Sequence, residues 1–229
     1  MTLATTGLIP ELPTLNGGIT LLETDEGARA ALHSLVLDHV LCEGHPAAWI
    51  DTHGHATTRP LASLAPNPRV LDRIRVARAF TPFQHYAIVE TVASRVDALA
   101  PSLLVVPALD GMYREDEVRQ REGQEMLVRA LAMLAGFARE HDLPILVTRT
   151  ASDDFAAPIE RAAAETIRFE RTAMGPRFVA DGFETLVYPA ERGYVQTTLA
   201  FWERVLAARA PMYDPSATAT TEVIAGRAD

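Results

Sequence analysis

The chain contains no lysine; all 21 of its basic residues are arginine. That absence removes two chemistries at once: a Schiff-base lysine, and a lysine that grips the terminal phosphates of a nucleotide in a glycine-rich loop. Cysteine is nearly absent too. Cys42 stands alone, so no disulfide closes within the chain. No apolar run approaches the ~18–20 residues that cross a bilayer. Met1 to Thr14 carries neither a basic start nor a cleavage signature, so no leader, no membrane and a cytoplasmic location are expected. Positive charge is in short supply. The net charge of −9 argues against DNA binding through overall charge. A lysine-free, acidic chain rich in Ala and Arg has a halophile-like composition.

What is present is apolar and patterned. Hydrophobic residues make up 48% of 229, which excludes a disordered chain and suffices for the core of one domain. Residues 1–16 hold Pro10 and Pro13 without periodicity and read as an extended arm. Ile19 to Leu22, Ala47 to Ile50, Ile74 to Ala79, Leu103 to Val106 and Ile145 to Thr148 read as strands. Helical spacing runs over Ala30 to Leu41, Phe83 to Leu99 and Glu117 to His141, while 56–69, with three prolines, reads as loop. Strands alternating with helices predict a parallel sheet covered on both faces. After Thr150 the rhythm changes. A mobile loop with one helical turn is expected over 151–163. Short strands at Thr166 to Arg171, Arg177 to Ala180 and Glu184 to Tyr188 form an antiparallel extension, and Thr198 to Arg209 a last helix. A single domain over 17–210 and a disordered tail over 211–229 are expected.

Five segments, in order, resemble the ATPase core of the RecA/RadA recombinase family. They are Gly18-Ile19-Thr20 before a turn and helix, Trp49-Ile50-Asp51-Thr52-His53-Gly54, Ile74 to Phe80, Leu103 to Val106, and Val147-Thr148-Arg149. The second is similar to the family's Tyr-Ile-Asp-Thr-Glu-Gly. The third is similar to its Ile-x-Val-Ala-Arg-Ala-Phe. The fourth falls where the Walker B strand belongs, and the fifth matches the first two positions of Val-Thr-Asn-Gln. The resemblance spans about 17–150. It implies a RecA-like parallel sheet flanked by helices, with the antiparallel strands as an added C-terminal extension.

The same resemblance would place a nucleotide site on Glu26, Gly27, Arg29, Ala30, His53, Pro107 and Thr150. A phosphate loop needs glycines whose N–H groups reach phosphate, and a lysine. Here the lysine position falls near Arg29, and the hydroxyl that would hold Mg²⁺ becomes Ala30. Glu23, Asp25 and Glu26 crowd a loop meant for an anion, at a cost of order 1 kcal/mol or more per like-charged pair. Pro107 stands at the metal-binding aspartate, His53 at the catalytic glutamate and Thr150 at the sensor glutamine. Four altered roles imply a dead ATPase site with no catalytic residue and no cofactor. They further imply a paralogue acting by protein contact with a recombinase or another replication or repair factor. Residues 1–16 are a candidate contact segment, because the family assembles through residues before its core.

Other readings compete. Arg29 could still pair a phosphate without hydrolysis; the bland reading is a solvated residue in a first helical turn. Cys42-x-x-His45 and Asp51, His53 and His55 are ligand types for zinc, but the two groups flank one short strand, ~10–15 Å apart. Only Asp51, His53 and His55 could converge, and no metal is expected. DNA contact would fall on Arg114 and on a patch of Arg168, Arg171 and Arg177. Residues 151–163 set Asp153, Asp154 and Glu160 against Arg161, so they suit phosphate poorly. A ligand-binding enzyme could use Asp51, His53, His55, Asp110 and Arg149 at the sheet's C-terminal edge. Trp49, Leu134, Phe137, Met126 and Met133 read as packing residues.

Overall fold

In the computed structural model, residues 11–24, 29–172, 175–185 and 198–213 are described. Five parallel strands come from the first two thirds of the chain: β1 (Gly18–Glu23), β2 (Ala47–Asp51), β3 (Ile74–Arg78), β4 (Leu103–Val106) and β5 (Pro144–Val147). Between them run α1 (Arg29–Glu43), α2 (Thr58–Leu64), α3 (Pro82–Ser94), α4 (Val96–Leu99) and α5 (Gln120–His141). After β5 come α6 (Ala157–Ala162), β6 (Glu165–Thr172), β7 (Gly175–Ala180), β8 (Phe183–Glu184), α7 (Thr198–Ala208) and α8 (Ala210–Tyr213). The eight strands form one sheet in the order β3-β2-β4-β5-β1-β6-β7-β8. β6 joins β1 in parallel, while β6–β7 and β7–β8 are antiparallel. The α/β class and the antiparallel edge are therefore as the sequence pattern predicts.

Two cores flank the sheet because successive side chains on a strand point to opposite faces. On one face Leu22, Trp49, Leu103, Val105 and Leu146 meet α1, α2 and α7. On the other, Leu21, Ile50, Leu104, Val106 and Val147 meet α3, α5 and α6. β2, β4 and all of β5 but Pro144 are buried, as strands covered on both sides must be. Each fully buried Leu or Val contributes ~1.5–3 kcal/mol. Trp49 is a core residue on the α1 side, and Leu134, Phe137 and Met126 are core residues on the α5 side, where Met133 packs against them.

Local signals set the helix ends. Thr81 Oγ1 accepts from Gln84 N at 3.1 Å and Gln84 Oε1 accepts from Phe80 N at 3.0 Å, with Pro82 at the first position of α3. This reciprocal cap resembles a capping box. α5 ends at Asp142 in the left-handed region.

Several expectations are corrected. Residues 58–64 are helical, not loop, and a 3₁₀ turn follows at Pro68–Arg73. Pro60 sits in the first turn of α2, where a missing N–H leaves no helical bond unmade. The predicted helix over 83–99 breaks at Arg95 into α3 and α4. The long helix begins at Gln120, three residues late. Residues 11–16 are irregular, but Leu12 and Leu15 are buried in the α1-side core rather than free in an arm; residues 1–10 lie outside the described residues. Pro211 to Tyr213 belong to α8 rather than to a tail, and 214–229 lie outside the described residues. So do the turn at Met174 and the expected strand residues 186–188. No helix among the described residues is long and apolar enough to cross a membrane.

Candidate functional site

Parallel β1, β2, β4, β5 and β6 all end along one edge of the sheet, where open α/β sheets place ligands. In the gap between the ends of β1 and β5 the protein supplies its own ions. Arg149, just beyond β5, donates through Nη2 to Glu23 at the end of β1, and through Nη1 to Glu160 of α6 at 3.2 Å. The Arg149 side chain is only 9% exposed. Arg29 and Ala30 open α1, and Arg29 Nη1 reaches the Gly54 carbonyl at 3.4 Å. Glu26 and Gly27, together with Asp25, lie outside the described residues.

The ends of β2, β4 and β5 are knitted by short side chains. Thr52 Oγ1 donates to the Pro107 carbonyl at 3.1 Å, and Ala108 N donates to Thr148 Oγ1 at 2.8 Å. Asp110 is fully buried and accepts from Thr150 N at 2.7 Å, Thr150 Oγ1 at 2.5 Å and Arg114 Nε at 2.6 Å. Arg114 then forks onto Asp153, with Nη1 at 2.9 Å and Nη2 at 2.6 Å, and lies over the Phe155 ring. The Arg114 hydrogen bonds hold the Asp153 carboxyl down to about 2, helped by the Ala156 N–H. Residues 151–156 are thus tied by side-chain hydrogen bonds, and the expected helical turn is α6.

Three sequence candidates for a metal do not converge. Asp51 is buried and accepts from Ala56 N at 2.8 Å and Arg78 Nε at 3.0 Å. His55 Nδ1 donates to the Thr52 carbonyl at 2.6 Å, and burial pushes the ring below its ordinary titration range. His53, in the left-handed region at φ 55, faces Glu115 through Nε2 at 3.1 Å. Each ring or carboxylate serves a different neighbour. No group of three or more His, Cys, Asp or Glu arranged for a metal occurs among the described residues. Cys42, near the C-terminal end of α1, is exposed, and His45 precedes β2.

The arginines proposed for DNA are unequal. Arg114 is spent on two carboxylates. Arg177 is held by Glu170 at 2.7 Å and also by Glu184. Arg168 and Arg171 are exposed on β6, so the expected three-residue patch is reduced. Both line a cleft of about 620 Å³, walled also by Glu23, Arg149, Ser152 and Glu170.

No family model matches this chain, and no curated protein does. The site therefore rests on its own geometry. Glu160, Asp153 and Glu115 carry site contacts that sequence reasoning assigned to none of them. The acidic character of 151–163 was visible, but the arginine partners of Glu160 and Asp153 lie 11 and 39 residues away along the chain.

A second surface lies at the opposite edge. Strand β3 has no neighbour on one side among the described residues. It carries Val76 exposed and leads to Phe80 (71% exposed) and Phe83 (55%). A hollow of about 320 Å³ lies beside it, lined by His53, Arg78, Phe80, Met112 and Glu115. Arg69, Arg73, Arg75 and Arg78 stand exposed around this edge.

Proposed function

We propose that this chain is a non-catalytic RecA/RadA-like paralogue. It acts in the cytoplasm by protein contact in DNA recombination, repair or replication. The observation that carries this reading is the Arg149 bridge from Glu23 to Glu160. It spans the ends of β1 and β5, where the resemblance would seat phosphates. Glu23 and Glu160 are 30% and 62% exposed, so opening this bridge costs ~1–2 kcal/mol, which lowers nucleotide affinity by roughly tenfold. Pro107 and Ala30 offer Mg²⁺ no ligand in return. With neither metal nor base, such a site turns nothing over.

The β3 edge supports a polypeptide partner. An open strand edge with large exposed apolar side chains is a liability unless something covers it. The arginine rim suits an extended segment that carries carboxylates around an apolar anchor. Arg114 and Arg177 are engaged by carboxylates, which takes two of the four arginines expected to contact DNA.

Affinity purification from the native cell tests this reading. A recombinase, repair or replication factor should be recovered with the wild-type chain and lost with Phe80→Asp. Recovery of the free protein alone would remove the contact reading. Micromolar Mg²⁺-dependent ATP binding, or turnover, would remove the dead-site reading.

A further inference from the structure

We propose that the cleft at the C-terminal ends of β1, β5 and β6 binds a small metabolite through a phosphate or carboxylate group, gripped by Arg168. This goes beyond the protein-contact reading and does not rest on it.

The cleft holds about 620 Å³, within the ~300–1,000 Å³ range of small-molecule sites. Its position follows from topology. β6 pairs with β1 only through Arg168 and then runs on to Thr172, so its last turns of pleat form a wall above the shorter β1. The loop Arg149 to Ser152 forms the facing wall.

The free hydrogen-bonding capacity in this space is one-sided. Every carboxylate that lines it is already answered. Glu23 accepts from Arg149, and Glu170 accepts from Arg177 Nε at 2.9 Å and Nη2 at 2.7 Å. Arg149 divides itself between Glu23 and Glu160. Thr150 gives both its N–H and its hydroxyl to Asp110. Arg168 is different: it lines the cleft and pairs with none of the described residues. Ser152, across from it, also keeps its hydroxyl free among the described residues. Among the described residues that line the cleft, Arg168 is the charged side chain left without a partner, so the complementary ligand carries negative charge. A planar guanidinium matches two oxygens of a carboxylate or phosphate at once. Both carboxylates that line the cleft already face a guanidinium, which disfavours a divalent cation and separates this ligand from a metal–nucleotide complex.

Calorimetric titration of the full chain tests the assignment. Inorganic phosphate and citrate are used separately, without Mg²⁺, at ionic strength held constant with sodium chloride. At least one should bind saturably, and the one that does names the group. Arg168→Ala should weaken that binding about tenfold or more. Arg139→Ala, at an exposed arginine in the last turn of α5, should leave it unchanged. Circular dichroism of both variants confirms the fold. Saturation by neither anion below ~10 mM, about 2.7 kcal/mol at 1 M standard state, overturns the proposal. Equal binding in Arg168→Ala, or equal loss in Arg139→Ala, also overturns it. ATP turnover bears on the non-catalytic reading alone, so the two can fail separately.

Discussion

Asp38 and Arg209 lie 171 positions apart and meet in a buried two-pronged ion pair, with Arg209 Nε at 2.6 Å and Nη2 at 2.9 Å from the carboxylate. Tyr213 adds a third donor, its hydroxyl 2.7 Å from Asp38 Oδ1. The cluster fastens the last two helices to α1, whose inner turns are buried on nearly every side. Arg209→Ala would leave a buried carboxylate with one neutral donor. It is expected to cost ~3–5 kcal/mol in urea denaturation, against ~1 kcal/mol for Tyr213→Phe. A loss under 1 kcal/mol for Arg209→Ala would mean that α7 and α8 are not docked as described.

Two glycines of one helix should respond with opposite signs. A Cβ at Gly123 would lie 2.0 Å from the Tyr113 carbonyl oxygen, whereas one at Gly136 meets nothing within 4 Å. Gly136→Ala is expected to raise stability by ~0.5–1 kcal/mol through helix propensity. Gly123→Ala is expected to lower it by ~1–3 kcal/mol, because backbone must move. Thermal melts of the two variants decide the matter, and equal shifts would contradict the close approach of α5 to the Met112–Arg114 turn.

Acid should destabilise the protein partly through one histidine. His85 is fully buried, bonds Tyr113 Oη through Nδ1 at 2.8 Å, and is pushed by burial to about 4. The unfolded ring titrates near 6.5. Its folded value is depressed, so its contribution is whole above pH ~6.5, declines as the pH falls and is gone near pH 4. The swing is on the order of 3 kcal/mol. Burial also lowers His33, His39 and His55, which adds slope of the same sign. His85→Gln should flatten the stability profile over that window. An unchanged slope would show that His85 takes up a proton freely in the folded state.

Arg114 should govern the loop after β5. Arg114→Lys keeps the charge and loses the fork that joins Asp110 to Asp153. Limited proteolysis within 151–156 should then speed up, and the Asp153 carboxyl should move from about 2 towards its ordinary value of 3.8 in a carbon-detected NMR titration. Unaltered cleavage and titration would show that the loop is held by Phe155 alone.

The strands and their order along the chain were legible in the sequence because each is a short apolar run with a polar boundary. α2 was not, since three prolines masked a helix whose first turn tolerates Pro60. The site was legible in outline. His53, Asp51, Pro107, Asp110, Arg149 and Thr150 do gather along the C-terminal edge. What filled that edge was not legible. Glu23 and Arg149 lie 126 residues apart and meet only because β1 inserts beside β5. Arg114 was expected to contact DNA because Asp153, its second carboxylate, lies 39 residues on and across a strand.

That same insertion has a temporal side. Gly18 of β1 pairs with Pro144, and Thr20 with Glu165. A nascent chain therefore emerges with its first strand bare, and both partners for it are made long after it. At ~5–20 residues per second, several seconds of synthesis separate β1 from β6, with Leu21 and Leu22 exposed throughout. Assembly of the sheet must begin among β2, β3 and β4 and admit its first strand late, which makes the amino-terminal segment the part most in need of a chaperone's shelter.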